Sequence, residues 1–202
     1  ATTLKAMGTA NDNTIYLSKT NARVGINGTA KVTAADVDAS NGVIHKVDRV
    51  LVFPTRTIAD IAVANPNLTA LVAALVKTDL VGLFAAPGDY TVWAPTDAAF
   101  AQLPAPLNNA ENISGITDAA TIAALSNILR YHVAASRYFS PDFGVPSLEV
   151  PTLADAPSNT IITAIGPLRV KGNSNAAAAR VARSDVFSTN GVIHVIDKVL
   201  RP

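Results

Sequence analysis

The chain has 202 residues, of which 49% are hydrophobic, 15% charged and none cysteine, with a formal net charge of +1. The missing cysteine excludes disulfides, thiolate catalysis and thiolate metal sites. The balanced charge gives neither the basic stripe of a nucleic-acid binder nor a polybasic membrane segment. The longest apolar stretch, Leu68 to Val76, falls far short of the ~20 residues a spanning helix needs, so no transmembrane segment is expected.

Residues 1–54 read as β. Short runs around Ile15 and Val32 are separated by expected turns at Gly25 and Asn27-Gly28, and Asn41-Gly42 predicts a type I′ hairpin. After Pro54 the period changes. Thr57 is expected to cap a helix over 58–64, with Asp60 completing a capping box. Leu68, Leu71, Val72, Leu75 and Val76 make a one-sided helical stripe over 68–76, with Asn67 at the cap position. Thr78 or Asp79 would cap a turn over 79–85. Residues 90–94 read as a strand stopped by Pro95, Thr96 as the start of a brief helix, and 119–130 as the last helix. The remainder is again β, over 148–153, 160–163, 168–171, 179–182 and 192–200. Gly166-Pro167 and 171–175 read as hairpin turns rather than phosphate cradles, since no Gly-rich turn leads into a helix there.

One stretch occurs twice. Residues 40–51 return as 189–200 at a constant offset of 149, the separation of Asn41 from Asn190, and over 32–51 eleven of twenty positions are identical. A spacing of that size is one domain rather than a solenoid repeat. Ala1 therefore falls inside a domain-sized unit, and preceding sequence is expected to have been removed or left out. Residues 1–54 correspond to the sheet-rich end of a domain without its helices. Ile15, Leu17, Val43, Val47 and Val50 would then be uncovered, and the expectation is that another molecule or a retained fragment covers them, with packing back on residues 55–202 as the alternative.

Tyr90-Thr91-Val92-Trp93-Ala94-Pro95-Thr96-Asp97-Ala98-Ala99-Phe100 resembles the first signature block of fasciclin domains, with Trp93 where the family usually has Phe. Tyr131-His132 resembles the family's Tyr-His motif, and 189–200 its second block, which 40–51 repeats. The resemblance implies an α+β fold, with helices clustered in the N-terminal half packed on a β-sheet wedge from the C-terminal half. It implies a complete domain over 55–202 and the C-terminal part of another over 1–54. The motif residues expected to be structural are Thr91, Ala94, Pro95, Thr96, Phe100, Tyr131, His132, Asn190, Gly191 and His194, with Asn41, Gly42 and His45 in the first copy.

The resemblance also implies a secreted, cell-surface or periplasmic adhesion and matrix module, non-enzymatic and without cofactor. Its partners would be proteins or other copies of itself. A binding module for a polysaccharide, lipid or small hydrophobic ligand is the alternative. In animal members adhesion is assigned to Asp-Ile pairs. The matching positions are Asp185-Val186, its repeat Asp36-Val37, and Asp142-Phe143, none of which keeps Ile.

The residues themselves offer little chemistry. His45, His132 and His194 show no metal-ligand spacing, and the reading for each is a histidine bonded to its own fold, with a pH-sensing contact as the alternative. Thr96-Asp97 reads as a helix cap rather than a catalytic dyad, because no Gly-x-Ser-x-Gly elbow is present.

Overall fold

The computed structural model describes residues 2–5, 14–19, 24–143, 147–155, 159–163 and 167–202. The chain begins with β1 (Thr2–Lys5), β2 (Thr14–Lys19), β3 (Val24–Ile26), β4 (Ala30–Ala39) and β5 (Gly42–Val47), a five-stranded sheet in sequence order. Gly25 lies inside β3 instead of forming a turn, while Gly28 does turn, at φ +70°. A Cβ at Gly28 would sit 2.6 Å from the Phe139 ring and 2.7 Å from the Asp185 carboxyl, so glycine serves both the backbone and the packing there.

The helical layer follows as α1 (Ile58–Val63), α2 (Thr69–Lys77) and α3 (Val81–Ala85), then β6 (Tyr90–Pro95), α4 (Asp97–Phe100), α5 (Ala110–Ser114), α6 (Ala119–Tyr131) and β7 (Val133–Ala134). Thr57 and Asp60 form the capping box of α1. The cap of α2 differs from the expectation. Asn67 does not supply it. Asp97 reaches across to accept from Ala70 N and from the Thr69 hydroxyl, each at 2.8 Å. Nor does Thr78 or Asp79 cap α3, whose N-cap position is Leu80: Thr78 donates back to Ala74 O, and Asp79 sits at φ +55°. The α2 stripe buries Leu71 and Leu75 together with Ala70 and Ala74.

The second sheet is completed by β8 (Leu148–Pro151), β9 (Asn159–Thr163), β10 (Arg169–Gly172), β11 (Ala179–Ser188) and β12 (Gly191–Ile196). Its order is β7-β6-β12-β11-β10-β9-β8, with β6 and β12 parallel at its centre. Both faces of that pair are covered. Val92, Ala94 and Ile193 meet the helices in one core, while Trp93 and Ile196 join Tyr131, Phe143 and Leu200 in the other. A parallel pair closed on both faces reads as a continuous apolar run. β4 and β11 are ten-residue strands, much longer than the short run expected around Val32 and the expected 179–182, and β12 ends at Ile196 rather than Leu200. Of the two expected hairpin turns, Gly166 lies outside the described residues, and 171–172 extend β10 before the chain turns.

The first sheet packs back on this unit through β2. Tyr16 lies with Phe139, Val192 and Phe187 in a small third core, and its hydroxyl donates to Asp89 at 3.1 Å. The β4–β5 hairpin projects away from that seam. The expectation that another molecule or a retained fragment covers residues 1–54 does not hold for β2 and the 27–30 turn, which pack back on residues of the same chain, while the β4–β5 hairpin is bare.

Candidate functional site

The two hairpins, β4–β5 and β11–β12, are built alike. Their loop residues are Ser40-Asn41 and Thr189-Asn190, between the pairs Ala39↔Gly42 and Ser188↔Gly191. None of these residues has positive φ, so neither turn is the type I′ form expected at Asn41-Gly42. The left-handed residue lies instead within the longer strand, at Asp36 (φ +56°) and Asp185 (φ +58°), where the register slips. A bulge there adds twist to strands whose turn does not supply it. Asp tolerates this region better than most residues because its short side chain bonds locally.

Each bulge is held by the histidine opposite. Asp36 N donates to His45 Nδ1 at 3.2 Å, and Asp185 N to His194 Nδ1 at 3.3 Å. Each hairpin base is closed by an aspartate, Asp48 accepting from Lys31 N at 2.8 Å and Asp197 from Arg180 N at 2.7 Å. These bonds lie within the hairpin and form in either setting.

The surroundings differ completely. Val192, Ile193 and Val199 are 0%, 2% and 4% exposed, whereas their counterparts Val43, Ile44 and Val50 are 55%, 57% and 85% exposed. Asn190 Oδ1 accepts from Ile58 N at 2.9 Å, and Nδ2 donates to Phe84 O and Ala86 O, tying the turn to α1 and to the end of α3. At Gly191 the backbone of β6 passes so close that a Cβ would strike Tyr90 O and come within 2.7 Å of Ile58. Nothing lies within 4 Å of a Cβ built at Gly42. These exposed apolar side chains lie beside the edge of β5, which is unpaired among the described residues.

Of the adhesion candidates, Asp185 is buried. Its carboxylate accepts from Ser140 N at 2.6 Å, Ser184 Oγ at 2.9 Å and the Ser140 hydroxyl. Val186 is half-buried. Asp142 accepts from Phe139 N at 2.8 Å in a short 3-10 helix at Ser140–Phe143, and Phe143 is buried edge-on to His194. Asp36 and Val37 are exposed. Val186 also walls an open groove of about 810 Å³ with Phe53, Arg56, Ile61, Asp97 and Arg183.

The buried histidines bond to backbone. His132 Nδ1 donates to Ile128 O at 2.7 Å, and Nε2 accepts from Leu200 N at 2.9 Å. Burial pushes its pKa down to about 4, against the pull of the Ile128 carbonyl. His194 Nε2 donates to Tyr138 O at 2.9 Å. Burial lowers its pKa, with the charge of Asp185 and the Tyr138 carbonyl opposing.

The remaining motif residues are occupied too. The Thr91 hydroxyl donates to Ser136 O at 2.6 Å and accepts from Tyr138 N at 2.8 Å. Thr96 caps α4, and Ala94, Pro95 and Phe100 are buried. The Tyr131 hydroxyl accepts from Asn173 N at 3.0 Å, and burial raises its pKa. Among the described residues no group of three or more His, Asp or Glu could hold a metal ion, and no helix is long and apolar enough to cross a membrane.

Sequence reasoning missed Arg137. Its guanidinium donates to Ser188 O, Thr189 O, Gly191 O and Gly88 O, pairs with Asp89 at 2.5 Å and lies 4.9 Å over the Tyr16 ring. No motif spacing marks it. The one available signal was an arginine just beyond the Tyr-His block.

Comparison with known proteins agrees with the geometry. The fasciclin domain family model matches residues 1–53 and 66–202. The pig transforming growth factor-beta-induced protein ig-h3 is 31% identical over 85% of this chain and 23% of its own length. A fasciclin-like arabinogalactan protein of the fungus Arthroderma benhamiae is 34% identical over 88% of this chain and 38% of its own. Protein sll1483 of Synechocystis is 36% identical over 72% and 73%. The chain thus spans well under half of the first two relatives. Among solved structures, a FAS1 domain pair from the insect cell adhesion molecule fasciclin I superposes with a TM-score of 0.60 at 22% identity, covering 94% of this chain and 67% of that one. With its family model matched along nearly all its length, the chain belongs to the fasciclin domain family.

Proposed function

We propose that the chain is a non-enzymatic adhesion and matrix module, placed outside the cell, on its surface or in the periplasm, that acts through protein–protein contacts. Residues 1–54 are read as the C-terminal part of one fasciclin domain and 55–202 as a complete one. The observation that carries this reading is the bare β4–β5 hairpin, with Val43, Ile44 and Val50 exposed beside an edge of β5 that is unpaired among the described residues. An exposed edge pairs with strands from other chains, its main-chain groups giving affinity and its side chains selectivity. A relative of known structure is described as a cell adhesion molecule, in keeping with the reading. The polar atoms a catalyst would need, on His132, His194, Thr96 and Asp97, are already engaged by their own fold. Of the three candidate Asp pairs, Asp36-Val37 is the exposed one, and it lies on this hairpin.

Cells displaying the chain should attach to one another or to a matrix-coated surface, and Ile44→Lys should abolish attachment. Val63→Lys, at an exposed position of α1, should leave it intact. Equal attachment by wild type and Ile44→Lys, or none by wild type, would overturn the reading.

A further inference from the structure

Two arginines face each other on the second sheet. Arg169 of β10 is paired directly with Arg180 of β11, while Val170 and Ala179 beside them enter the core around Trp93. Arg169 and Arg180 therefore share the opposite face, and both are exposed. Lys171 lies on that face as well, because Val170 and Gly172 on either side of it are buried. Past the bulge Arg183 joins them. It is exposed and pairs with Val195, whereas the neighbouring Ile196 belongs to the Trp93 core.

Like charges placed directly opposite on a sheet destabilise it. Among the described residues none of these cations forms an ion pair. Asp197 accepts from Arg180 N at the hairpin base, and Glu149 of β8 stands two strands away from Lys171. The fold does not ask for the arrangement. In the first sheet the equivalent pair is Gly25↔Lys31, with a single cation. A chain whose formal net charge is only +1 thus gathers unpaired positive charge on one strip.

The strip runs on into the open groove, which Ala182 and Arg183 line together with Phe53, Ile61 and Val186. Asp97, also in the lining, has both carboxylate oxygens engaged by Thr69 and Ala70. Lys171, the Arg169–Arg180 pair and Arg183 succeed one another at steps of about 7 Å, two strand residues each. An extended peptide sets alternate side chains at the same interval.

We propose that this strip and the groove bind an extended acidic segment of a partner protein. Carboxylates at alternate residues of the segment lie on the strip, and an apolar side chain beyond them enters the groove. Each guanidinium offers a planar pair of donors that a carboxylate accepts side by side. No residue of the β4–β5 hairpin takes part, so this is a second contact surface, independent of the one on that hairpin.

The test is fluorescence anisotropy of a labelled peptide that alternates Glu and Ser and ends in Leu, against the same residues with the glutamates in one block. At low salt the alternating peptide should bind at least ~10-fold more tightly than the blocked one, and Arg169→Gln or Arg180→Gln should each weaken it ~10-fold. A peptide ending in Ser should also bind more weakly. Lys77→Gln, which removes a charge on α2, should leave binding unchanged. Arg169→Gln should raise Tm at low salt by relieving repulsion, which separates lost binding from lost structure. No binding, equal binding of the two peptides, or binding indifferent to the arginine variants or to the terminal Leu overturns the proposal. So does a Tm lowered by Arg169→Gln. Arginine-dependent binding of heparin with neither peptide held assigns the strip to a sulfated polysaccharide and overturns it too.

Discussion

Hairpins β4–β5 and β11–β12 share their turn, their left-handed bulge aspartate, the histidine opposite it and the aspartate closing the base. One forms the centre of a domain and the other stands in solvent. Backbone geometry in this motif is therefore local and survives the loss of its surroundings. Burial is not local, and depends on whether a helical half lies on the strand edge. The same side chains are core in one place and surface in the other.

The sharpest way to break that contrast is paired substitution. Ile193→Ala should destabilise the C-terminal unit by about 4 kcal/mol, by lost burial and the cavity left behind, while Ile44→Ala should stay within about 0.5 kcal/mol. Urea melts of both variants decide it, and comparable losses would mean the first hairpin is covered in solution.

Acid should act on the buried copy next. His132, which accepts from Leu200 N behind β12, has a native pKa near 4 against about 6.5 unfolded, so the unfolded chain binds the proton more readily. Stability is then full above pH 6.5 and falls as pH drops toward 4, by about 3 kcal/mol from this residue. His194, lowered by burial, acts in the same direction. Chemical denaturation at stepped pH should show the slope, and a flat profile across that window would contradict the burial of these rings.

Asn190→Ala removes four bonds and strands Ile58 N inside the protein, for an expected loss of about 3 kcal/mol, against a few tenths for Asn41→Ala. The smallest contrast is at the bulge. His194→Ala should cost about 2 kcal/mol because Tyr138 O loses its donor, and His45→Ala about 0.5 kcal/mol. Thermal melts of the two would suffice, and the bulge itself should persist in both.

Most elements were legible because their signals are local. The α2 stripe, the Thr57 capping box and the strand before Pro95 each lie within one short window. The family followed from repeated blocks, which record ancestry without requiring a fold to be worked out. What sequence hid was non-local. Asp97 caps a helix 27 residues earlier in the chain, and Gly28 is squeezed by the Phe139 ring and by Asp185 of β11. The turn at Asn41-Gly42 misled because neither residue takes positive φ, and in the buried copy Asn190 serves instead as a side-chain ligand to a helix. The burial of Asp185 was equally invisible, since the serines that claim its carboxylate include one 45 residues away.

Arg137 has a mechanical consequence. Its planar group gathers the turn between β11 and β12, the segment entering β6 and the face of Tyr16 from the first sheet onto one rigid anchor. Tension drawn between the two sheets would load these contacts together, as rivets through a single plate, instead of peeling them one by one. Survival under such a pull is a matter of opening rate rather than equilibrium stability.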